Sequence, residues 1–253
     1  MALLHVNFFS RALNVASSVD VILPENAQGI GVTASGEEAL PKVLYLLHGY
    51  SDDQTIWQRR TAVERYAARY NLAVIMPAVN HSFYCNEEHG ERYWDYVSEE
   101  LPAQMQRFFR LSDKPEDTFV AGLSMGGYGA MKLALSHPER FGAAASFSGA
   151  VDIVTMATRK KGDWDRIFGR KAVRGTDCDL FHLMKANADA PSKPRLYVSC
   201  GTADYLYGHH QKFVPALEKQ GWDVTRYDEP DSVHEWGFWD REIAKVIPWM
   251  MGE

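Results

Sequence analysis

The chain has 253 residues, of which 46% are hydrophobic and 24% charged, and its formal net charge at pH 7 is −6. That balance supports a full core and excludes bulk disorder, and the length fits one large α/β domain. With no basic stripe or arm, nucleic acid is not an expected partner.

The predicted elements alternate along the chain. Leu3 to Phe9 and Val15 to Leu23 read as an opening pair of strands, with Val19, Val21 and Leu23 alternating with polar Asp20. Apolar runs follow at Val43–Leu47, Ala73–Met76, "TFVAG", "AAASFSG" and "RLYVSCG". Continuous runs of this kind suit strands buried on both faces, as in a parallel sheet. Trp222 to Glu229 reads as a more exposed strand. Between them, helical spacing relates Val63, Tyr66, Ala67 and Tyr70, and then Val97, Leu101, Met105, Phe108 and Phe109. A weaker pattern joins Phe213, Leu217 and Gln220, and Trp239, Ile243, Val246, Ile247 and Met250 close the chain. The expected architecture is a mostly parallel, doubly wound sheet with helices on both faces. Residues 1–253 are expected to form a single domain. A charged, aperiodic stretch at about 151–194 reads as a short cap insertion, and Arg159-Lys160-Lys161 within it as a solvated turn.

In such a sheet ligands gather beyond the carboxyl ends of the strands. Ser124 lies where "TFVAG" ends and a helix begins, inside Gly122-Leu123-Ser124-Met125-Gly126. A sharp strand-to-helix turn strains the central residue, exposes its hydroxyl and leaves no room for side chains two positions away. Gly127 and Gly129 extend the close packing into a helix that ends near His137-Pro138. A serine hydroxyl needs a base to become a nucleophile, and the base needs a carboxylate to orient it. The expected chain order is serine, acid, histidine. Asp204 follows the "RLYVSCG" strand, with Asp152 as the rival acid. His234 lies between the last strand and the closing helix and is the expected base, rather than His209 or His210. Acyl transfer also needs fixed N–H donors for the developing oxyanion. Met125, after the nucleophile, is one candidate. Tyr50, after Gly49 on an earlier strand's exit loop, is the other.

The stretches "LLHGYSDDQTIWQRRTAVER", "FVAGLSMGGYGAMKLAL", "ASFSGA", "CGTADYLY" and "HEWGFW" together resemble the tributyrin-esterase branch of the esterase D-like family. That family also holds S-formylglutathione hydrolases and mycolyltransferase-like proteins. The resemblance runs from the opening strands to the last helix. It implies an α/β-hydrolase fold and a serine carboxylesterase acting on short acyl chains. Carried onto this chain, the triad is Ser124, Asp204 and His234, and the oxyanion hole Tyr50 and Met125. S-formylglutathione hydrolases usually carry a cysteine shortly after the oxyanion turn, whereas here that turn reads Gly49-Tyr50-Ser51-Asp52-Asp53. The substrate is expected against Gly49, Trp57, Phe83 and Trp236.

Several alternatives stay open. Aromatic residues around the motif loops would suit a feruloyl or cinnamoyl ester. An S-formylglutathione hydrolase, an acyltransferase and a non-catalytic binding protein are the others. No cofactor and no metal are expected, since no H-E-x-x-H or paired-cysteine spacing occurs. Cys85, Cys178 and Cys200 are too few and too far apart for a disulfide framework, which suits a reducing compartment. The N-terminal stretch has no signal-peptide pattern, and no run approaches 18 apolar residues. The expected setting is cytoplasmic, with a small-molecule ester as partner, no membrane span, and a homo-oligomer compatible with the sequence.

Overall fold

The computed structural model describes residues 1–25, 39–159 and 162–253. Lys160 and Lys161, two of the three basic residues assigned to a solvated turn, lie outside the described residues, and so does the Arg159 side chain. Eight strands form one sheet: β1 (Ala2–Ser10), β2 (Val15–Leu23), β3 (Lys42–Leu47), β4 (Leu72–Pro77), β5 (Thr118–Leu123), β6 (Ala143–Phe147), β7 (Arg195–Gly201) and β8 (Val224–Glu229). Their order is β1-β2-β4-β3-β5-β6-β7-β8. The first two strands pair antiparallel, as do β2 and β4, and every later pairing is parallel. On β1, side chains alternate between half-buried and exposed, because the strand lies at an edge. The interior strands β4 and β6 are buried throughout, as their unbroken apolar runs require.

Alternation divides those strands between two cores. Val43, Tyr45 and Leu47 face one side with Val120, Ala144 and Val198. Leu44 and Leu46 face the other with Phe119, Ala121 and Ala145. Over the second core pack α1 (Ile56–Arg60), α2 (Val63–Ala67) and, from the end of the chain, the helix Trp236–Met251. Over the first pack the short α3 (Tyr93–Asp95), α4 (Leu101–Phe108) and the wholly buried α5 (Met125–Ser136), which spends a buried residue at all but its last position. Residues 151–194 hold α6 (Ile153–Met156), α7 (Asp163–Phe168) and α8 (Leu180–Ala186). Two longer helices complete the set, α9 (Tyr207–Lys219) on the first core and α10, the helix Trp236–Met251 already placed on the second. This is the α/β-hydrolase architecture that the resemblance implies.

One helix departs from its predicted form. The periodic stretch from Val97 to Phe109 is not one α-helix: Tyr96–Glu100 winds as a π turn before α4 starts. Pro102 has no N–H to return to the Ser98 carbonyl. That carbonyl accepts instead from the Arg140 guanidinium at 2.9 Å.

The sheet register sets where the loops meet. Leu47, the last residue of β3, pairs with Gly122 of β5, so the two chains leave the sheet side by side. The first turn of α5 then passes over the end of β3. A Cβ on Gly126 would lie 2.3 Å from the Leu47 carbonyl oxygen, and one on Gly122 would lie 2.3 Å from the Gly126 carbonyl oxygen. Both obstacles are backbone and cannot rotate aside. Gly129 meets a different wall, the Tyr84 ring, which a Cβ would approach to 2.5 Å. Replacing Gly126 with alanine is therefore expected to cost about 3 kcal/mol of unfolding free energy, in the range of forced overpacking. Urea denaturation measures it; a Gly126→Ala protein with the native midpoint would contradict this account of the turn.

Candidate active site

Ser124 sits between β5 and α5 with φ 52° and ψ −115°, a conformation that a residue with a side chain rarely adopts. Its backbone is held at both ends. The amide donates to the Phe147 carbonyl at 2.9 Å, and its carbonyl accepts from Tyr128 at 3.1 Å and Ala150 at 3.0 Å. Beside it, the strand-end turn after β7 presents Asp204, whose carboxylate is buried. One oxygen accepts the Leu206 amide at 2.8 Å, and the other accepts Nδ1–H of His234 at 2.8 Å. Burial pushes the Asp204 carboxyl up, but those two donors outweigh it and hold the group below the usual carboxylate range. A carboxylate only accepts, so His234 carries its proton on Nδ1 and leaves Nε2 free to act as a base.

His234 is packed from two sides. Tyr205 lies against one face with ring centroids 4.6 Å apart, and Trp239 meets it edge-on at 4.9 Å. Trp239 in turn touches Trp236, and Trp236 touches Trp57, each pair at 5.2 Å. Trp57 is fully buried and donates its indole N–H to the Leu47 carbonyl at 3.1 Å. Trp57 and Trp236, expected against the substrate, are not among the walls of the cavity over Ser124; Trp57 is fully buried, Trp236 is half-buried, and both stand in an aromatic run that ends on His234.

The cavity over Ser124 has a volume of about 420 Å³, and Tyr50, Phe83, Met156, Trp164, Tyr205 and Leu206 are among its walls. Phe83 is where the sequence placed it. Met156 and Trp164 come from the 151–194 insertion and were not anticipated, because that stretch has no periodicity to assign its faces. Phe83 and Trp164 meet with ring centroids 4.7 Å apart. Tyr50 stacks on His81 at 4.1 Å, and its hydroxyl donates to Asp163, which lifts the phenol to about 12. Arg166 joins the same Asp163 at 2.8 Å and also pairs with Glu87. The Glu88 and His89 amides donate to the carbonyls of Ile167 and Arg166, at 2.8 and 2.9 Å. Asp163 and Arg166 of the insertion thereby help to clasp α7 to the 81–91 loop and to Tyr50.

The remaining candidates separate clearly. Gly49 shapes the turn after β3 and does not line the cavity. Among the described residues, the Tyr50 and Met125 amides make no hydrogen bond, which leaves both donors free. Asp152 is committed elsewhere: its carboxylate caps α6 through the Thr155 amide at 3.2 Å and the Thr155 hydroxyl at 2.8 Å. His209 lies against the Asp152 amide, and His210 is buried against Asp228 at 2.6 Å. Neither histidine partners Asp204. No helix among the described residues is long and apolar enough to cross a membrane.

The model of the family described as "Putative esterase" matches residues 10–250. The acetyl esterase of Caldicellulosiruptor saccharolyticus is 31% identical over 262 aligned residues, covering 99% of this chain and 98% of that protein. Among solved structures, the fluorophosphonate-binding serine hydrolase F (FphF) of Staphylococcus aureus superposes with a TM-score of 0.89 at 34% identity, over 100% of this chain and 99% of that one. The S-formylglutathione hydrolase (FrmB) of Staphylococcus aureus does so with a TM-score of 0.86 at 35% identity, over 98% of each.

His48, missed as a site residue, anchors the turn before Tyr50. It donates from Nδ1 to the Gly49 carbonyl at 2.7 Å and accepts the Val79 amide on Nε2 at 3.0 Å. Only neutral imidazole can do both. Burial lowers its pKa from 6.5 to about 4, against the opposing pull of the Gly49 bond. Between those values the unfolded chain takes up a proton that the native one refuses, so stability falls as pH drops through that window. The loss expected from this one group is up to about 3 kcal/mol. Urea unfolding from pH 7 to pH 4.5 should lose one proton's worth of slope in His48→Gln; an unchanged slope would contradict the assignment.

Proposed function

This chain belongs to that esterase family, and from that premise we propose that it is a serine carboxylesterase that hydrolyses short-chain acyl esters. The observation that carries the reading is the Asp204–His234 hydrogen bond beside the strained Ser124. Ser124 Oγ attacks the ester carbonyl carbon while His234 Nε2 removes the hydroxyl proton. Asp204 keeps the imidazole in the Nδ1–H tautomer and stabilises the imidazolium that forms. The Tyr50 and Met125 amides receive the developing oxyanion. Collapse of the tetrahedral intermediate expels the alcohol, protonated by His234, and leaves the acyl group on Ser124. Water activated by the same imidazole then attacks the acyl-enzyme and releases the acid, restoring the serine. Three free cysteines, all buried, fit a reducing compartment and a cytoplasmic setting.

The cavity sets the acyl preference. Its volume lies at the small end for ligand sites, and Phe83, Trp164 and Met156 give it apolar walls. Each methylene that reaches such a wall gains about 0.8 kcal/mol, and those beyond the wall gain nothing. A second reading is favoured by the identity to S-formylglutathione hydrolase: formyl is the smallest acyl group, and the same triad would cleave its thioester.

Two outcomes follow for kinetics. Ser124→Ala is expected to lose about 10⁴-fold or more in kcat with its fold intact, and Asp204→Asn nearly as much because the wrong tautomer is then held. Steady-state hydrolysis by purified variants with native circular dichroism decides this, and near-native turnover by Ser124→Ala would refute the assigned nucleophile. Across p-nitrophenyl esters, kcat/KM is expected to peak at acyl chains of about two to six carbons. A maximum at dodecanoyl or longer contradicts the short pocket. A higher value for methyl ferulate or S-formylglutathione would assign the site to a phenolic ester or to that thioester.

A further inference from the structure

Lys132 lies on α5, two turns beyond Ser124, and its side chain is fully buried. A buried ammonium is costly unless an anion meets it, and an apolar side chain would fill the space more cheaply. The only carboxylate recorded in a salt bridge with it among the described residues is Asp177, at 3.6 Å, and that side chain is 66% exposed. The indole of Trp94 covers the ammonium with its centroid 4.2 Å away. The ammonium's hydrogen-bond partners among the described residues are sulfur. Lys132 Nζ is 3.5 Å from Cys178 Sγ and 3.7 Å from Cys85 Sγ, and the two sulfurs are 3.3 Å apart.

These groups come from separate parts of the chain. Cys85 lies on the 81–91 loop, which also carries Phe83, a wall of the cavity over Ser124. Cys178 lies on the turn before α8, 93 residues later. Tyr128 joins both: its hydroxyl donates to the Cys178 carbonyl at 2.8 Å and lies 3.5 Å from Cys85 Sγ. Burial pushes the Cys85 thiol up, but the Cys178 hydrogen bond and the Lys132 charge outweigh it and bring the thiol to about 7. Cys178, donating to Cys85 and buried, is pushed up. Two sulfurs therefore stand in contact with a cation beside both, and of the two Cys85 is the one drawn toward the thiolate.

We propose that Cys85 and Cys178 form an oxidation site that hydroperoxides convert to an internal disulfide. The Cys85 thiolate attacks the terminal peroxide oxygen, the O–O bond breaks, and Cys85 becomes a sulfenic acid with release of the alkoxide, which is hydroxide where the oxidant is hydrogen peroxide. The Cys178 sulfur then attacks the Cys85 sulfur, its proton leaves with the departing oxygen as water, and the S–S bond forms. Two thiols are oxidised and one peroxide is reduced. The sulfurs close from 3.3 Å to about 2.05 Å, and both cysteines lie on loops that can give that distance. Cys178, 8% exposed, is the side from which a small oxidant enters. The bridge ties the Phe83 loop to the segment leading into α8, and a dithiol reverses it.

The test is hydrogen peroxide treatment of the folded chain, alkylation in denaturant, and non-reducing peptide mapping. The expected product is a Cys85–Cys178 linked peptide lighter by two hydrogens, with Cys200 alkylated. Free Cys85 and Cys178, a bridge to Cys200, or a product that gains oxygen instead would overturn the proposal. Lys132→Met is expected to slow oxidation about tenfold, because the cation no longer favours the thiolate. An unchanged rate would overturn its role. Cys178→Ser, which leaves Lys132 in place, should let dimedone trap a sulfenic acid on Cys85; failure to trap it would overturn Cys85 as the attacking sulfur.

Discussion

The contact on which the site depends is backbone against backbone. The first turn of α5 presses onto the end of β3, close enough that a Cβ on Gly126 would meet the Leu47 carbonyl oxygen at 2.3 Å. That contact leaves Ser124 no relaxed conformation and holds it at φ 52°. Strain of this kind costs on the order of 1–3 kcal/mol and persists only where the surroundings over-determine it. Here they do, through three backbone hydrogen bonds, one that Ser124 donates to Phe147 and two that it accepts from Tyr128 and Ala150. The rest of the site is arranged around the hydroxyl so displayed. The exit loop of β3 brings Tyr50, the turn after β7 brings Asp204, and the loop after β8 brings His234.

Polar groups near that serine are each assigned one role by their partners. Asp204 is held ionised by two donors. His48 is held neutral by one donor and one acceptor, and it steadies the turn that carries Tyr50. Tyr84 bridges the same regions: its hydroxyl donates to the His48 carbonyl at 2.9 Å while its ring packs against Gly129. On the far side of His234 the support is apolar, a run of edge-on indoles from Trp239 through Trp236 to Trp57. The imidazole is thereby oriented by a charge in front and by rigid rings behind.

Much of this was legible in the sequence because the signals are local. The glycines around Ser124 mark a sharp turn within a few residues of sequence, although the walls they face at Leu47 and Tyr84 lie far along the chain. Asp204 follows a strand with an unbroken apolar run, and His234 follows the more exposed last strand, so the place of each at a strand end follows from topology. What failed was what only tertiary packing decides. Trp57 and Trp236 stand beside motif residues in the chain, but Trp57 is taken wholly into the core and Trp236 packs against it, and neither walls the cavity over Ser124. Met156 and Trp164 were hidden in a charged stretch with no periodicity to assign its faces. The structure pairs Asp163 and Arg166 with Tyr50 and Glu87, which turns Trp164 inward. The Ser98 carbonyl that Pro102 leaves unpaired beside the π turn finds its donor in Arg140, 42 residues distant. Nor could spacing reveal that Lys132, Cys85 and Cys178 share one buried pocket.

The central claim is that Ser124 is a nucleophile activated by His234. Reaction with a fluorophosphonate probe tests it directly, because the reagent phosphonylates only a serine whose base is in place. Mass spectrometry of the labelled chain should find a single adduct, on the peptide containing Ser124, and His234→Ala should abolish it without loss of fold. An adduct on another residue, or equal labelling of the His234→Ala protein, would contradict the account.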